Sequence, residues 1–326
     1  MSRIGALARK TRTLVGFATE FFNDLMIYLR HCGNSPLQDA NRRRFYKLLN
    51  ITHALEKGLS LREPRPLFGR EKVAMIMEEL DRYDTAFSTL PAQMAIGAFE
   101  TYVAQHRARG VEDPLLEQVE RYAAAKKVEL GVASHGGLRR FPTAYDGESP
   151  IPADFVASRF SSRTFAPDLL PRELIEEVVA LAQTTPSQCN RQSSHAHFFQ
   201  TPGKIAALLA LQGGSGGFTE DIKNLFVVSS DIAAWSGSPQ RNQAYVDGAL
   251  FAMSLLYALH ANGLAACPLN LAVSNRKERK IKHAGAIPMD HRLIMMIAVG
   301  RPLSLTDVSA ACSPRRATQE ILRFGD

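Results

Sequence analysis

Four cysteines in 326 residues, and no two of them in a CxxC spacing, leave this sequence without the usual materials of a disulfide framework or a zinc cluster. Cys32, Cys189, Cys267 and Cys312 read as scattered reduced thiols, which suits a cytoplasmic chain. The histidines His53, His195, His197, His260, His283 and His291 show no ligand spacing either, so no metal is expected, although His195 and His197 alternate onto one strand face. Long runs of one charge are absent, as is any aromatic–basic repeat. A nucleic-acid surface is therefore not expected, despite a net charge of +7. A clean apolar leader is also missing. The basic start (Arg3, Arg9, Lys10, Arg12) leads into a stretch interrupted by Glu20, Asp24 and Arg30, which is neither a signal peptide nor a membrane span. There is no internal repeat, and tryptophan occurs once, at Trp235.

What is present is an ordinary globular balance, 45% hydrophobic and 22% charged, in a chain long enough for two units. The excess of positive charge favours anionic partners. Residues 12–29 carry Leu14, Ala18, Phe21, Phe22, Leu25 and Leu29 at helical spacing. Two readings are open for them: a helix docked on a core, or a basic-flanked helix making peripheral membrane contact. Residues 70–86 and 114–130 are also helical in period. In "HALEKGLSLREPRPLFG", residues 53–69, two prolines and a glycine end helix formation after Ser60. Residues 1–130 thus read as an all-helical region. Residues 131–150, "GVASHGGLRRFPTAYDGESP", have the composition of a linker or a binding strap.

Residues 151–326 mix strands and helices. A helix opens at Pro171 and runs to about residue 183, with acidic residues in its first turn. Residues 195–201, 224–231 and 292–302 read as strands. Residues 243–263 read as a helix apolar nearly all round, closed by Asn262-Gly263. The fold class expected is α+β.

Several short constellations could carry chemistry. In "SRFSSRTF", residues 158–165, Arg159 and Arg163 bracket a run of hydroxyls, and two guanidinium forks can grip a phosphate; a solvated arginine pair is the plainer reading. "TTPSQCNRQSSHAHFF", 184–199, crowds Pro186, Ser187 and Asn190 into one turn. "GLAACPLNL", 263–271, contains Cys267, Pro268, Leu269 and Asn270 in an extended piece whose proline lacks a donor while neighbouring N–H groups are free. Arg315 and Arg316 stand before a final helix. Trp235 is either a core anchor or a pocket wall, and Arg241 either meets an anionic substrate or is a surface residue.

Taken in order, these pieces resemble the nitroreductase family of FMN-dependent oxidoreductases over roughly residues 154–322. The resemblance implies a central, mostly antiparallel sheet flanked by helices, FMN as cofactor, NADH or NADPH as hydride donor, and a homodimer with flavin between subunits. It implies that Arg159, Phe160 and Ser161 hold the phosphoribityl end. Arg163 would lie near N1 and the C2 carbonyl. Pro186, Ser187 and Asn190 would reach the flavin across the interface. Cys267, Pro268, Leu269 and Asn270 would run along the ring, and Arg315 or Arg316 would supply a terminal phosphate contact. Trp235 and Arg241 are the substrate-side candidates. The family's Pro-Trp is replaced by Ser193-Ser194, and its downstream flavin-contacting residues by "QGGSGGFTED", 212–221. The helical region with "HALEKGLSLREPRPLFG" is similar to that of relatives associated with bacterial polysaccharide biosynthesis. The expected activity is ping-pong hydride transfer through flavin N5 to an electron-poor acceptor. The alternatives are a flavin-dependent oxidase of a specialised substrate and a scaffold whose flavin is structural or absent.

Overall fold

A computed structural model describes residues 3–61, 64–138, 153–303, 310–311 and 315–325, with side chains from residue 11 onward. Most of the expected linker, 139–150, and Cys312 lie outside these residues.

The N-terminal part is helical: α1 (Arg3–His31), α2 (Ala40–Leu59), α3 (Arg70–Asp81), α4 (Leu90–Arg107) and α5 (Pro114–Leu130). Local chemistry sets several ends. Asp39 accepts from Arg42 N–H at the start of α2, and Asp113 accepts from Leu115 N–H before the Pro114 that opens α5. Gly131 closes α5 in the left-handed region. Leu48, Leu55, Ile76, Ile96, Phe99, Tyr102 and Val119 form a core of their own. The sequence "HALEKG…PLFG" builds this core. Gly58 leaves the space that the Phe68 ring fills, Phe68 stacks on His106, and Glu56 accepts from Gly137 N–H at 2.9 Å.

The second part contains α6 (Ala153–Ser158), α7 (Arg172–Ala182), β1 (Ser194–Phe199), α8 (Pro202–Gln212), β2 (Asn224–Asp231), α9 (Gln243–Ala261), β3 (Ala265–Asn270), α10 (Asn275–Gly285), β4 (His291–Gly300) and α11 (Thr318–Ile321). The sheet is antiparallel throughout, in the order β1-β2-β4-β3. Period-two alternation divides β2 between two cores. Leu225 and Val227 face α8 and α10, whereas Phe226 and Val228 face α7 and α9. Ser238–Ala261 is long and apolar enough to cross a membrane by length and composition, but half of it is buried, and α9 packs on β2 and β4.

The two parts meet through a smaller cluster of Tyr46, Leu49, Met94, Ala233, Ala234, Trp235 and Ala244. Arg42 on α2 reaches Asp231 at 2.7 Å and also pairs with Asp290. Helix α1 docks in an unexpected way. Its polar face makes the contacts: Glu20 accepts from Asn275 N–H and Nδ2, and Asp24 pairs with Arg292 at 2.7 Å. Its apolar residues Leu14, Phe17, Phe21, Phe22 and Leu25 are exposed within the single chain. Two of the charges that interrupt the apolar run, Glu20 and Asp24, thus fasten α1 to the sheet domain, together with Tyr28, whose hydroxyl donates to the Gly237 carbonyl at 2.7 Å.

Candidate functional site

The segment 159–163 and strand β3, far apart in sequence, lie side by side. Ser161 forms a parallel bridge with Ala266, and Ser162 N–H donates to the Ala266 carbonyl at 2.9 Å. Buried Ser162 caps its own loop by accepting from Thr164 N–H. This holds Arg159 half-buried and leaves Phe160 and Arg163 exposed. Burial pushes the Cys267 thiol up from its ordinary value, and the positive charge of Arg163 pulls it back. No salt bridge engages Arg159 or Arg163 among the described residues, so both cations are available to an anionic ligand.

Along β3 the side chains divide. The side chains of Cys267 and Leu269 point into the sheet core, whereas Pro268 is half-buried and Asn270 exposed. β3 is an edge strand, and within the described residues its outer side is paired only at Ala266; beyond that point the outward-facing residues are Pro268, which has no N–H, and Asn270, because Cys267 and Leu269 turn their backbone groups to β4. The end of α8 reaches the same strand: Gln212 Nε2 donates to the Asn270 carbonyl at 3.0 Å. This contact was not legible in the sequence.

Pro186, Ser187 and Asn190 lie elsewhere. Their turn leads into β1 at the corner where Ser194 pairs with Ser230, while Ser161 adjoins the corner where Ala266 pairs with Val299. Three inter-strand steps, about 14 Å, and several residues along the strands separate the two within one chain. Ser187 donates to Asp247 at 2.6 Å, and Asn190 Nδ2 approaches Met94 Sδ at 3.9 Å. Cys189, Asn190 and Gln192 all have φ near +52 to +54°, left-handed positions uncommon for non-glycine residues, with Arg191 at −72° between the last two.

Trp235 is fully buried in the cluster joining the two parts, with the Arg191 guanidinium 5.3 Å from its ring centre, so it is a core anchor. Arg241 is exposed and donates to the Ser238 carbonyl at 3.0 Å, at the rim of a groove of about 630 Å³. Arg315 and Arg316 are exposed ahead of α11.

The histidines form a cluster that their sequence spacing does not reveal. His195, Asp231 and His291 have potential ligand atoms within 4.8 Å of one another. Ser229 bridges His197 and His291 at 2.9 Å on each side. Asp231, however, is already engaged by protein donors: Arg42 and Tyr46 on one oxygen and Ala233 N–H on the other. Burial and mutual repulsion push His197 down to about 4 and His291 to about 3, so both are neutral near pH 7.

The family model described as the nitroreductase family matches residues 156–227, which include the Arg159–Arg163 segment, the turn at 186–192 and most of β2. The chain carries a nitroreductase-family segment. Solved structures similar to about half of this chain include the NfrA1 nitroreductase from B. subtilis (21% identity, 53% of this chain and 73% of that one, TM-score 0.46). B. megaterium NfrA2 is similar too (16%, 53% and 73%, 0.47), as is an FMN-dependent nitroreductase from Clostridium difficile R20291 (15%, 53% and 98%, 0.44). No curated protein matches the chain significantly. The matched segment begins within α6, and the helices α1–α5 lie outside it.

Proposed function

We propose that this protein is an FMN-dependent oxidoreductase that takes hydride from NADH or NADPH and passes it to an electron-poor small molecule. The observation that supports this most directly is the Ser161–Ala266 bridge, which joins the Arg159–Arg163 segment, inside the nitroreductase-family match, to the edge strand β3. FMN, when bound, supplies hydride transfer at N5. Arg159 and Ser161 hold the phosphate end by charge-assisted hydrogen bonds, with Phe160 covering it and Arg315 or Arg316 closing on it. Arg163 presents a fixed positive charge at the pyrimidine edge. The backbone of Cys267–Asn270 lines the ring plane.

The turn bearing Pro186, Ser187 and Asn190 cannot reach this edge in its own chain, so the working unit is proposed to be a homodimer in which each turn serves the partner's site. The exposed apolar residues of α1, and Val246 and Leu250 of α9, are then surface for a second copy to cover. A cytoplasmic location goes with this reading. The link to polysaccharide biosynthesis rests on the resemblance of residues 53–69 alone.

The test is purification, absorbance and mass analysis of released cofactor, then anaerobic titration with NADH and NADPH. A flavin spectrum bleached by either nucleotide supports the proposal, whereas a flavin that neither nucleotide bleaches but that an organic donor reduces and oxygen reoxidises favours the oxidase reading. A colourless protein that takes up no added FMN overturns the proposal in favour of the scaffold reading.

A further inference from the structure

A second basic site lies at the junction of the two parts, away from β3. A pocket of about 360 Å³ opens between α2 and the turn carrying Arg191. From α2 it is lined by Arg43, Arg44, Lys47 and Asn50, spaced so that they share one helix face. Arg191 enters from the opposite side, and Ala233 and Ala234 also line it. Four cations therefore meet one carboxylate, Glu79, whose oxygens go to Lys47 at 2.6 Å and Arg44 at 3.7 Å. Arg43 has only the Ser35 carbonyl, at 3.4 Å.

Arg191 is the decisive group. It is 6% exposed, and its Nη1 is buried without a hydrogen-bond partner. No carboxylate lies within ion-pair distance of it among the described residues, and Asp247 acts on it only from longer range. Stacking on Trp235 fixes the guanidinium plane but satisfies none of its N–H groups. A buried, unpaired guanidinium is costly unless an anion completes it. Such an anion would be met by a second unpaired arginine, Arg43, and by Lys47 at the solvent side. Two guanidinium forks suit the several oxygens of a phosphate better than the two of a carboxylate. The pocket is also larger than a phosphate alone requires.

We propose that this pocket binds a phosphate monoester of a small molecule, with the phosphate between Arg191 and Arg43, as a site separate from the Arg159 segment. Occupation would tie α2 of the helical part to the turn that begins β1.

The test is isothermal titration of FMN-loaded protein, freed of excess FMN, with phenyl phosphate, inorganic phosphate and benzoate at matched ionic strength. Phenyl phosphate is expected to bind more tightly than inorganic phosphate, and benzoate not to bind measurably. Arg191→Gln and Arg43→Ala should each weaken phenyl phosphate at least tenfold, and raising the salt should weaken it in the wild type. Arg43→Ala lies on a half-exposed helix face and keeps the test open if Arg191→Gln fails to fold; its FMN uptake should equal the wild type's. Equal affinity for phenyl phosphate and inorganic phosphate, or binding of benzoate as tight as phosphate, overturns the ester assignment. Binding unchanged in Arg43→Ala, or none in the wild type, overturns the site. If the protein takes up no FMN, the oxidoreductase reading falls while the same titration on the unloaded chain still decides this one.

Discussion

Arg159 and Arg191 are one residue type in two settings, and burial separates them. Arg159 is half-buried beside an open strand edge, so its loss should cost ligand affinity and little stability. A charge-assisted bond to phosphate contributes about 1.5–3 kcal/mol, or roughly ten- to a hundredfold in Kd. Arg159→Ala is expected to lower FMN affinity by that factor, read by fluorescence titration, with thermal unfolding of the apo form unchanged. Retention of wild-type affinity would remove Arg159 from the phosphate. The histidine cluster makes a different prediction. His197 and His291 are held neutral in the fold, with values near 4 and 3, against about 6.5 when unfolded. Below pH 6.5 the unfolded chain binds protons that the folded chain refuses, so stability is full above that pH and declines as pH falls toward 4. The urea midpoint should drop between pH 7 and pH 5, a window above the ordinary carboxylate range, and His197→Gln should flatten the slope. A wild-type midpoint constant over that interval would contradict the assigned neutrality.

At the scale of elements, what a helix is made of and what it touches diverge most in α1 and α4. Helix α1 has the apolar spacing of a docked helix, yet it docks through Glu20 and Asp24 and leaves that spacing exposed. Helix α4 is buried on so many sides that it has little periodicity to read, and its contact with residues 131–138 depends on two glycines. A Cβ added to Gly97 would lie 2.5 Å from the Gly136 backbone nitrogen, where nothing flexible can yield. Gly97→Ala is expected to destabilise by about 1–3 kcal/mol through overpacking, despite alanine's better helix propensity. Gly16→Ala on α1, with no atom within 4 Å of the new carbon, should be neutral or mildly stabilising. Calorimetry of the pair isolates the close approach, and equal Tm values would show that residues 131–138 do not pack on α4.

For the whole molecule, the prediction concerns assembly. The turn at 186–190 and the Arg159 segment occupy diagonal corners of one sheet, and apolar surface on α1 and α9 is left uncovered. Sedimentation should therefore give a dimer of the 35.9 kDa chain, and Phe21→Asp should shift it toward monomer with loss of bound FMN. A wild-type monomer that binds FMN stoichiometrically, or one that floats with anionic vesicles through α1 instead of dimerising, would refute this.

The sequence alone carried the α+β class, the helical character of residues 1–130, the strand at 224–231 and the helix at 114–130, because each rests on local periodicity, capping or a proline. It also singled out the Arg159–Arg163 and Cys267–Asn270 segments as candidates, since their residue types stand in short runs. Their adjacency did not follow from those runs: the Ser161–Ala266 bridge joins residues about a hundred positions apart and depends on β3 being an edge strand. Nor could spacing reveal that His195, Asp231 and His291 converge, or that Arg191 turns inward onto Trp235 beneath a basic face of α2. Local propensity is a property of neighbours along the chain. Convergence of groups from separate elements, and the burial that shifts their charge, exists only once packing has brought those elements together.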